Sequence, residues 1–346
     1  MRAAVYHPPE AIRIEELAVP KIGEGEMLLR VKSCGICGTD VLKVNRGLPK
    51  APVVLGHELV GEVVETGKGL DRFRLGDRVV VAHHVPCGTC HYCRHGNHSM
   101  CRHFKSTNLD PGGFCEYLRV PAEHAQQTAF AVPENLSDEE ALFTEPLSCC
   151  VRNLRRASLL PGDTAVVVGM GSIGLMMLQL LKNAGVKVLA LDLKAERLAL
   201  AKRLGAEHSA LGNDPTLKEL IMEITAGRGA DLVVFTAGGG KAFQGALDWV
   251  RDGGALNLFA SLSDQPVPLS LDALYHHEIT VFSSYSPSPE DLVTAHRLLS
   301  EKKVDVAPLI THRLPLEELA RGIELMNRQE ALKVIIQPQI QEPAQA

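Results

Sequence analysis

The sequence predicts an α/β protein in which a loop-rich β domain is followed by a doubly wound parallel sheet. Three observations carry that prediction. Between about Pro161 and Ser288, strand-like and helix-like runs alternate (TAVVVG, IGLMMLQLLKNAG, KVLALD, KAERLALAKRLGA, DLVVFTAG, GALNLFAS), which is the rhythm of βαβ units. From Met1 to about Leu142, short apolar runs at 27–31, 59–64 and 78–82 are set among Gly, Pro and β-branched residues, as short strands separated by turns would be. The chain has 346 residues and is 45% hydrophobic, enough for two packed cores.

Taken in order, residues 1–148 are expected to form the β-rich domain, with a metal-binding lobe at about 84–104, and residues 149–287 the dinucleotide-binding domain. Residues 288–346 carry two helix patterns (PEDLVTAHRLLSEKK and PLEELARGIELMNRQ), the strand-like KVIIQP and a polar tail; this zone is expected to return to the first domain, its tail frayed. The net charge of −5 and the dispersed basic residues argue against a nucleic-acid partner. No apolar run reaches the roughly 18 residues of a membrane span, and the N-terminus MRAAVYHPPE has no export signal. A cytoplasmic location and small-molecule partners are therefore expected. Nine cysteines, mostly clustered, then point to metal ligation in a reducing compartment rather than to disulfides.

Cys87, Cys90, Cys93 and Cys101 are spaced C-x2-C-x2-C-x7-C within a single loop. Four thiolates at that spacing suit tetrahedral zinc in a closed, structural site with no open position for a substrate. An iron–sulfur cluster is the rival, but the ferredoxin run has a shorter last spacer and a proline after its fourth cysteine, where this chain has Arg102. Four unrelated buried cysteines would be expected to follow an apolar periodicity, which the loop lacks.

In AVVVGMGSIGLMMLQLL, Gly169, Gly171 and Gly174 form G-x-G-x-x-G between an apolar strand run and an apolar helix run, the setting that a dinucleotide turn needs. Gly169 permits the tight turn, Gly171 lets backbone approach a pyrophosphate, and Gly174 packs the helix on the strand; Ser172 opens that helix, whose N-terminus offers free N–H groups. The next strand ends at Asp192, 18 residues beyond Gly174, where a carboxylate can accept hydrogen bonds from ribose hydroxyls and repel a 2′-phosphate. NAD is expected over NADP, although Lys194 and Arg197 stand close in sequence. The competing reading makes these glycines mere turn residues and Asp192 a helix cap.

The first domain holds a second donor set. CGICGTD places Cys37 between glycines, and GHELVG sets His57 beside Glu58; sulfur, nitrogen and oxygen are what zinc accepts in open catalytic sites. Each residue alone would more often be a packed cysteine or a satisfied polar group.

CGICGTD, LGHELVGEVVETG, the cysteine lobe, GGFCEY, EPLS and VVVGMGSIG occur in this order along nearly the whole chain. The set resembles the zinc-dependent medium-chain dehydrogenases, and most closely their sorbitol and threonine dehydrogenase branch. The resemblance implies a GroES-like β-rich catalytic domain beside a Rossmann domain, two zinc ions per chain, NAD, and a homo-tetramer or homo-dimer. It implies that Cys37 and His57 are catalytic zinc ligands, with Glu58 and Glu145 as carboxylates that trade places with water, and that Thr39 bonds the substrate oxygen and begins the proton relay. Ile173, Asp192 and Arg197 match cofactor contacts, and Phe259, Ser261, Ser284 and Ser286 match two further segments beside the nicotinamide. The implied reaction moves a hydride between a secondary alcohol (a polyol, sugar, cyclitol or hydroxy amino acid) and NAD.

Three departures bear on the substrate. Leu42, followed by Lys43, stands where relatives often place a relay histidine; Arg152 replaces another histidine after EPLS; and an arginine common in polyol dehydrogenases near Ser286 is missing. Lys43 and Arg152 would suit a phosphate or carboxylate on the substrate, or serve as solvated cations. His83 and His84, before a lobe already supplied with four thiolates, are read as structural or hydrogen-bonding residues, and Cys115, Cys149 and Cys150 as packing residues. The alternative to an enzyme is a sensory NAD-binding protein that keeps the fold without turnover; the open donor set argues against it, and also against the zinc-free quinone reductase type.

Overall fold

The computed structural model describes residues 1–9, 11–49, 51–261 and 266–338. The expected fraying of the tail falls on 339–346, outside the described residues. The chain divides into two compact units: Met1–Ser148 with Pro287–Lys302 and Val306 onward, and Cys149–Ser286 with Lys303–Asp305. The excursion at 303–305 has a local cause. Gln179 of the second unit holds Asp305 at both ends of its backbone, donating Nε2 to its carbonyl at 3.0 Å and accepting its N–H at 2.7 Å.

The first unit is built on a seven-stranded sheet in which Met27–Gly35 and Glu58–Thr66 are the long central strands. They pair antiparallel, with register shifts near Leu28 and Val31 that let the ribbon bend. Alternation along the first strand puts Met27, Leu29 and Val31 into the core against Tyr6, Phe114 and Leu118. Each such side chain, fully buried, contributes on the order of 1.5–3 kcal/mol; an aspartate at Leu29 would break the sheet. The return of the chain has a consequence for the site: the late strand Lys333–Gln337 pairs with Met27–Gly35 through Ile335↔Gly35 and Ile336↔Cys34, bringing a residue from the far end of the sequence to the end of the strand that leads to Cys37.

The second unit is a six-stranded sheet, parallel throughout. Counted from Thr164–Val168, its strand order is 3-2-1-4-5-6, the doubly wound order of dinucleotide-binding sheets. Ala230–Phe235 is buried along its whole length, as a parallel strand covered on both faces must be. Helix Ser172–Asn183 buries Leu175, Met176, Met177, Leu178, Leu180 and Leu181, a nearly all-round apolar surface that requires deep packing. In such sheets the crevice for a ligand lies beyond the carboxyl ends of the strands, where the order reverses. Here the reversal falls between Thr164–Val168 and Ala230–Phe235.

Candidate metal and cofactor sites

Cys37 is the N-cap of helix Gly38–Asn45. The Thr39 N–H donates to its Sγ at 3.4 Å, and the Cys37 N–H donates to the Asp40 carboxylate at 3.0 Å. The sulfur therefore sits at the N-terminal end of a helix. His57 follows a turn made at Gly56, whose φ of +92° suits glycine, and its Nδ1 lies 3.5 Å from the fully buried Asp40 carboxylate. Burial opposes charge on both groups, yet their mutual attraction prevails: the His57 pKa rises well above the ordinary histidine value and that of Asp40 falls below the ordinary carboxylate value. A carboxylate behind a histidine fixes the ring and makes the opposite nitrogen a better donor to a metal.

Glu58, 1% exposed, is ion-paired through Oε2 with Lys333 Nζ. Lys333 is itself 2% exposed, donates to the Ile36 carbonyl at 3.3 Å and lies 5.6 Å from the centre of the Phe143 ring. Burial alone would lower its pKa; Glu58, Cys37 and Glu145 outweigh that and raise it, so the ammonium faces two carboxylates and a thiol. The approach is close enough that a Cβ on Gly35 would stand 2.5 Å from Glu58 Oε2, which is why glycine ends that strand.

Among the described residues, ligand atoms of Cys37, His57 and Glu58 lie within 4.8 Å of one another. That donor set fits a zinc ion with an open position. Glu145, buried at 6% exposure in the first turn of helix Thr144–Leu154, stands outside this group. Thr39 is half-buried in the turn that Cys37 caps, and Lys43 is half-buried on the same helix.

Sequence reasoning missed Asp40 and Lys333. Asp40 had a signal, since an acidic residue three positions after a cap residue is the second half of a capping box. Lys333 had one too: a lysine opening the apolar run KVIIQP is a charge where a covered strand has no use for one. His83, read from the sequence as structural or hydrogen-bonding, lies beside His57. Its ring lies 4.5 Å from that of His57 and 3.9 Å from that of His84, which in turn lies 4.8 Å from Phe104 of the lobe. Burial lowers the His83 pKa well below the ordinary value, with His57, His84 and Lys43 adding to it; Lys43 thus stands within electrostatic reach of this stack.

In the lobe, the sulfurs of Cys87 and Cys101 are 3.5 Å apart, those of Cys90 and Cys93 3.6 Å, and those of Cys87 and Cys93 3.9 Å. Tetrahedral coordination with bonds of about 2.3 Å puts sulfurs about 3.8 Å apart, whereas a disulfide would need about 2.05 Å. The four cysteines fit a closed metal site.

In the second unit the predicted cofactor residues gather at the carboxyl ends of the strands. Gly169 has φ +95°, and a Cβ on Gly174 would fall 1.8 Å from the Gly169 carbonyl, so the turn admits no side chain at either position. A Cβ on Gly171 would meet nothing within 4 Å. Gly171 caps helix Ser172–Asn183 with no side-chain hydrogen bond, leaving open space and helical N–H groups where an anion is best held. The turn fits a dinucleotide. The Asp192 carboxylate accepts from Met170 N–H at 2.6 Å and Lys194 N–H at 3.0 Å, with Arg197 at 3.8 Å. It thereby ties the second strand to the glycine turn. Phe259 and Ser261 follow the strand Val250–Leu258; Ser284 and Ser286 follow Thr280–Ser283, and Ser284 Oγ accepts from Asn153 Nδ2 at 3.0 Å. Ile173 is partly buried in the first helical turn, where its carbonyl receives Cys150 Sγ at 3.9 Å. Arg152 is 7% exposed on helix Thr144–Leu154.

A β-rich unit carrying an S, N, O donor set and a closed cysteine lobe, joined to a 3-2-1-4-5-6 parallel sheet with a glycine turn, defines the class of zinc-binding dehydrogenases. Family models agree: "Alcohol dehydrogenase GroES-like domain" matches residues 23–133 and "Zinc-binding dehydrogenase" residues 172–301. The chain is 34% identical over 351 aligned residues to a sorbitol dehydrogenase of Bacillus subtilis (strain 168), covering 98% of this chain and 97% of the relative. It is 35% identical over 334 to an L-threonine 3-dehydrogenase of Bacillus velezensis (strain DSM 23117 / BGSC 10A6 / LMG 26770 / FZB42), covering 94% and 95%. An alcohol dehydrogenase from Thermus sp. ATN1 superposes with a TM-score of 0.87 at 33% identity, covering 98% of this chain and 100% of the other. The chain belongs to the zinc-binding medium-chain dehydrogenases of the alcohol dehydrogenase superfamily, an oxidoreductase family, in the branch of the sorbitol and threonine dehydrogenases. No helix of the described residues is long and apolar enough to cross a membrane.

Proposed function

We propose that this chain is an NAD-dependent dehydrogenase that oxidises a secondary alcohol bearing further polar groups, in the cytoplasm, with two zinc ions per chain. The observation that carries the reading is the convergence of Cys37, His57 and Glu58 within 4.8 Å, with His57 braced by Asp40 and Glu58 by Lys333; a module that only binds a dinucleotide has no use for it. Cys37 and His57 would hold the catalytic ion, with Glu58 and Glu145 as the carboxylates that would trade places with water there. Zinc bound there supplies a Lewis acid that makes a substrate hydroxyl more acidic, and the nicotinamide supplies the hydride acceptor. Thr39 orients the reacting oxygen and accepts its proton, since a hydroxyl can accept and donate in the same step. Cys87, Cys90, Cys93 and Cys101 hold the structural ion.

Gly169, Gly171, Ser172, Ile173 and Gly174 cradle the pyrophosphate side of NAD, while Asp192, with Arg197 beside it, binds the ribose; Phe259, Ser261, Ser284 and Ser286 line the nicotinamide side. Lys43 and Arg152 recognise an anionic group on the substrate. An oligomer is supported by the outermost strand Thr280–Ser283, one side of which has no strand partner among the described residues, with Leu271, Tyr275 and Tyr285 exposed nearby in sequence; light scattering on the purified protein gives the subunit number. Residues 1–148 and 288–346 form the catalytic domain and 149–287 the NAD domain. A metal assay and an alcohol panel test the whole: two zinc ions per chain, one removed by chelation together with NAD reduction, is the expected result. One ion and no turnover on any alcohol would sink it. Replacing Asp192 with serine is expected to shift the ratio of kcat/KM for NAD over NADP about tenfold or more toward NADP.

A further inference from the structure

His83 is a histidine with an unused ring, placed beside the candidate metal ligands without joining them. Its backbone carbonyl accepts from His124 Nε2 at 3.1 Å, and its ring is held between His57 and His84. His84 is anchored in turn by its Nδ1 at 2.6 Å from the Thr107 carbonyl. The ring is thus fixed on two sides and by its main chain. Yet His83 Nδ1 is buried with no hydrogen-bond partner, although the residue as a whole is not closed off. A buried polar nitrogen without a partner costs about 1–3 kcal/mol, and a position that needed only packing would be better filled by phenylalanine. His83 also lies outside the set of donor atoms that converge at Cys37, His57 and Glu58. Its ring stands beside His57, one side chain away from the converging donor atoms.

We propose that His83 is a specificity-determining residue: its imidazole hydrogen-bonds a hydroxyl or carboxylate carried by the substrate next to the reacting carbon, so that alcohols with a neighbouring polar group are chosen over simple apolar alcohols. A neutral imidazole has one N–H donor and one lone pair, which matches a hydroxyl in either sense and a carboxylate through the donor. An apolar alcohol leaves the imidazole unpaired, and a site built to hydrogen-bond rejects ligands that cannot reply.

The inference rests on the dehydrogenase reading, and the experiment separates the two. Zinc-loaded wild-type protein, H83F and H83Q are assayed with NAD on sorbitol, threonine and cyclohexanol, with zinc content measured on the same samples. For H83F the ratio of kcat/KM on the better polar alcohol to that on cyclohexanol is expected to fall about ten- to hundredfold, mainly through KM, at unchanged zinc per chain. H83Q, which keeps an amide donor and acceptor, is expected to recover part of the ratio; if H83F does not fold, the ratio for H83Q against wild type decides. An unchanged ratio, equal losses on all three alcohols, or the loss of one zinc per chain in H83F overturns the proposal. A wild type that prefers cyclohexanol overturns it while leaving the dehydrogenase reading in place. A wild type that oxidises none of the three falls with that reading.

Discussion

The two candidate metal sites of the β-rich unit are built by different means. The lobe offers four identical sulfurs 3.5–3.9 Å apart in the measured pairs, backed by an apolar cluster of only Cys93, Cys101 and Phe104, with Cys90 packed against it. The other centre offers sulfur, nitrogen and oxygen, and each donor is tied to a separate partner: Cys37 to the start of a helix, His57 to Asp40, Glu58 to Lys333. Four like donors in one loop need a metal to hold them together. Three unlike donors from two segments are held by partners elsewhere in the protein, whether or not an ion is bound. That contrast assigns stability to the first centre and chemistry to the second.

The contrast is broken most directly by removing one sulfur from each. Cys37→Ser is expected to lower kcat/KM on any accepted alcohol by about a thousandfold or more, because the Lewis acid supplies several kcal/mol of transition-state stabilisation, while thermal unfolding stays near wild type. Cys90→Ser is expected to lower stability by roughly several kcal/mol, since structural zinc binding is folding energy, with kcat little changed in whatever protein remains folded. A stable, inactive Cys90 variant beside an unstable, active Cys37 variant would reverse the assignment.

Lys333 tests whether the open site is held by protein. Lys333→Met strands the Glu58 charge at 1% exposure, and breaking a buried pair from one side costs about 3–5 kcal/mol. Denaturant unfolding of Lys333→Met, of Glu58→Gln and of the double variant measures the coupling. Recovery of a large part of the loss in the double variant sharpens the contrast; simple addition of the two losses would show that the pair does not act as a unit.

How much of this was legible beforehand follows the same division. The lobe, the glycine turn and the strand–helix alternation were readable because each is local: spacing alone fixes which atoms meet. The Cys37 and His57 segments were readable as donors, but their bracing was not, because Lys333 reaches Glu58 only through the pairing of Ile335 with Gly35 and Ile336 with Cys34, a contact across 275 residues that periodicity cannot report. The place of the His83 ring was illegible for a related reason: only the turn after strand Arg78–Val81 lays it on His57. In the second unit the candidate cofactor residues after the fifth and sixth strands carried no motif at all; only the parallel order sets them on the same edge as Gly169 and Asp192.

Asp40 gives a smaller, sharper test of the bracing. Asp40→Asn keeps the shape and the bond from the Cys37 N–H but removes the charge behind His57, and loss of such a partner typically costs 10–100-fold in metal affinity. Competition with a chelator is expected to strip one zinc ion per chain at about 10–100-fold lower chelator concentration and to leave the other in place. Equal weakening of both ions would mean that the two centres are not independent.

The least effect is expected at the seam between them. Thr107 accepts the Val85 N–H at 3.0 Å through Oγ1 and donates to the Phe104 carbonyl at 3.1 Å, and its own carbonyl is bonded to His84. Thr107→Val keeps the volume and removes the hydroxyl, which leaves a buried N–H and carbonyl unpaired at a cost of about 1–3 kcal/mol. If the lobe is a brace and nothing more, the melting temperature falls and the preference among alcohols does not move. If instead the stack of His84 on His83 passes the disturbance to His57, the ratio of polar to apolar substrates shifts in the direction seen for H83F but by less, and the lobe then helps set the site it appears only to support.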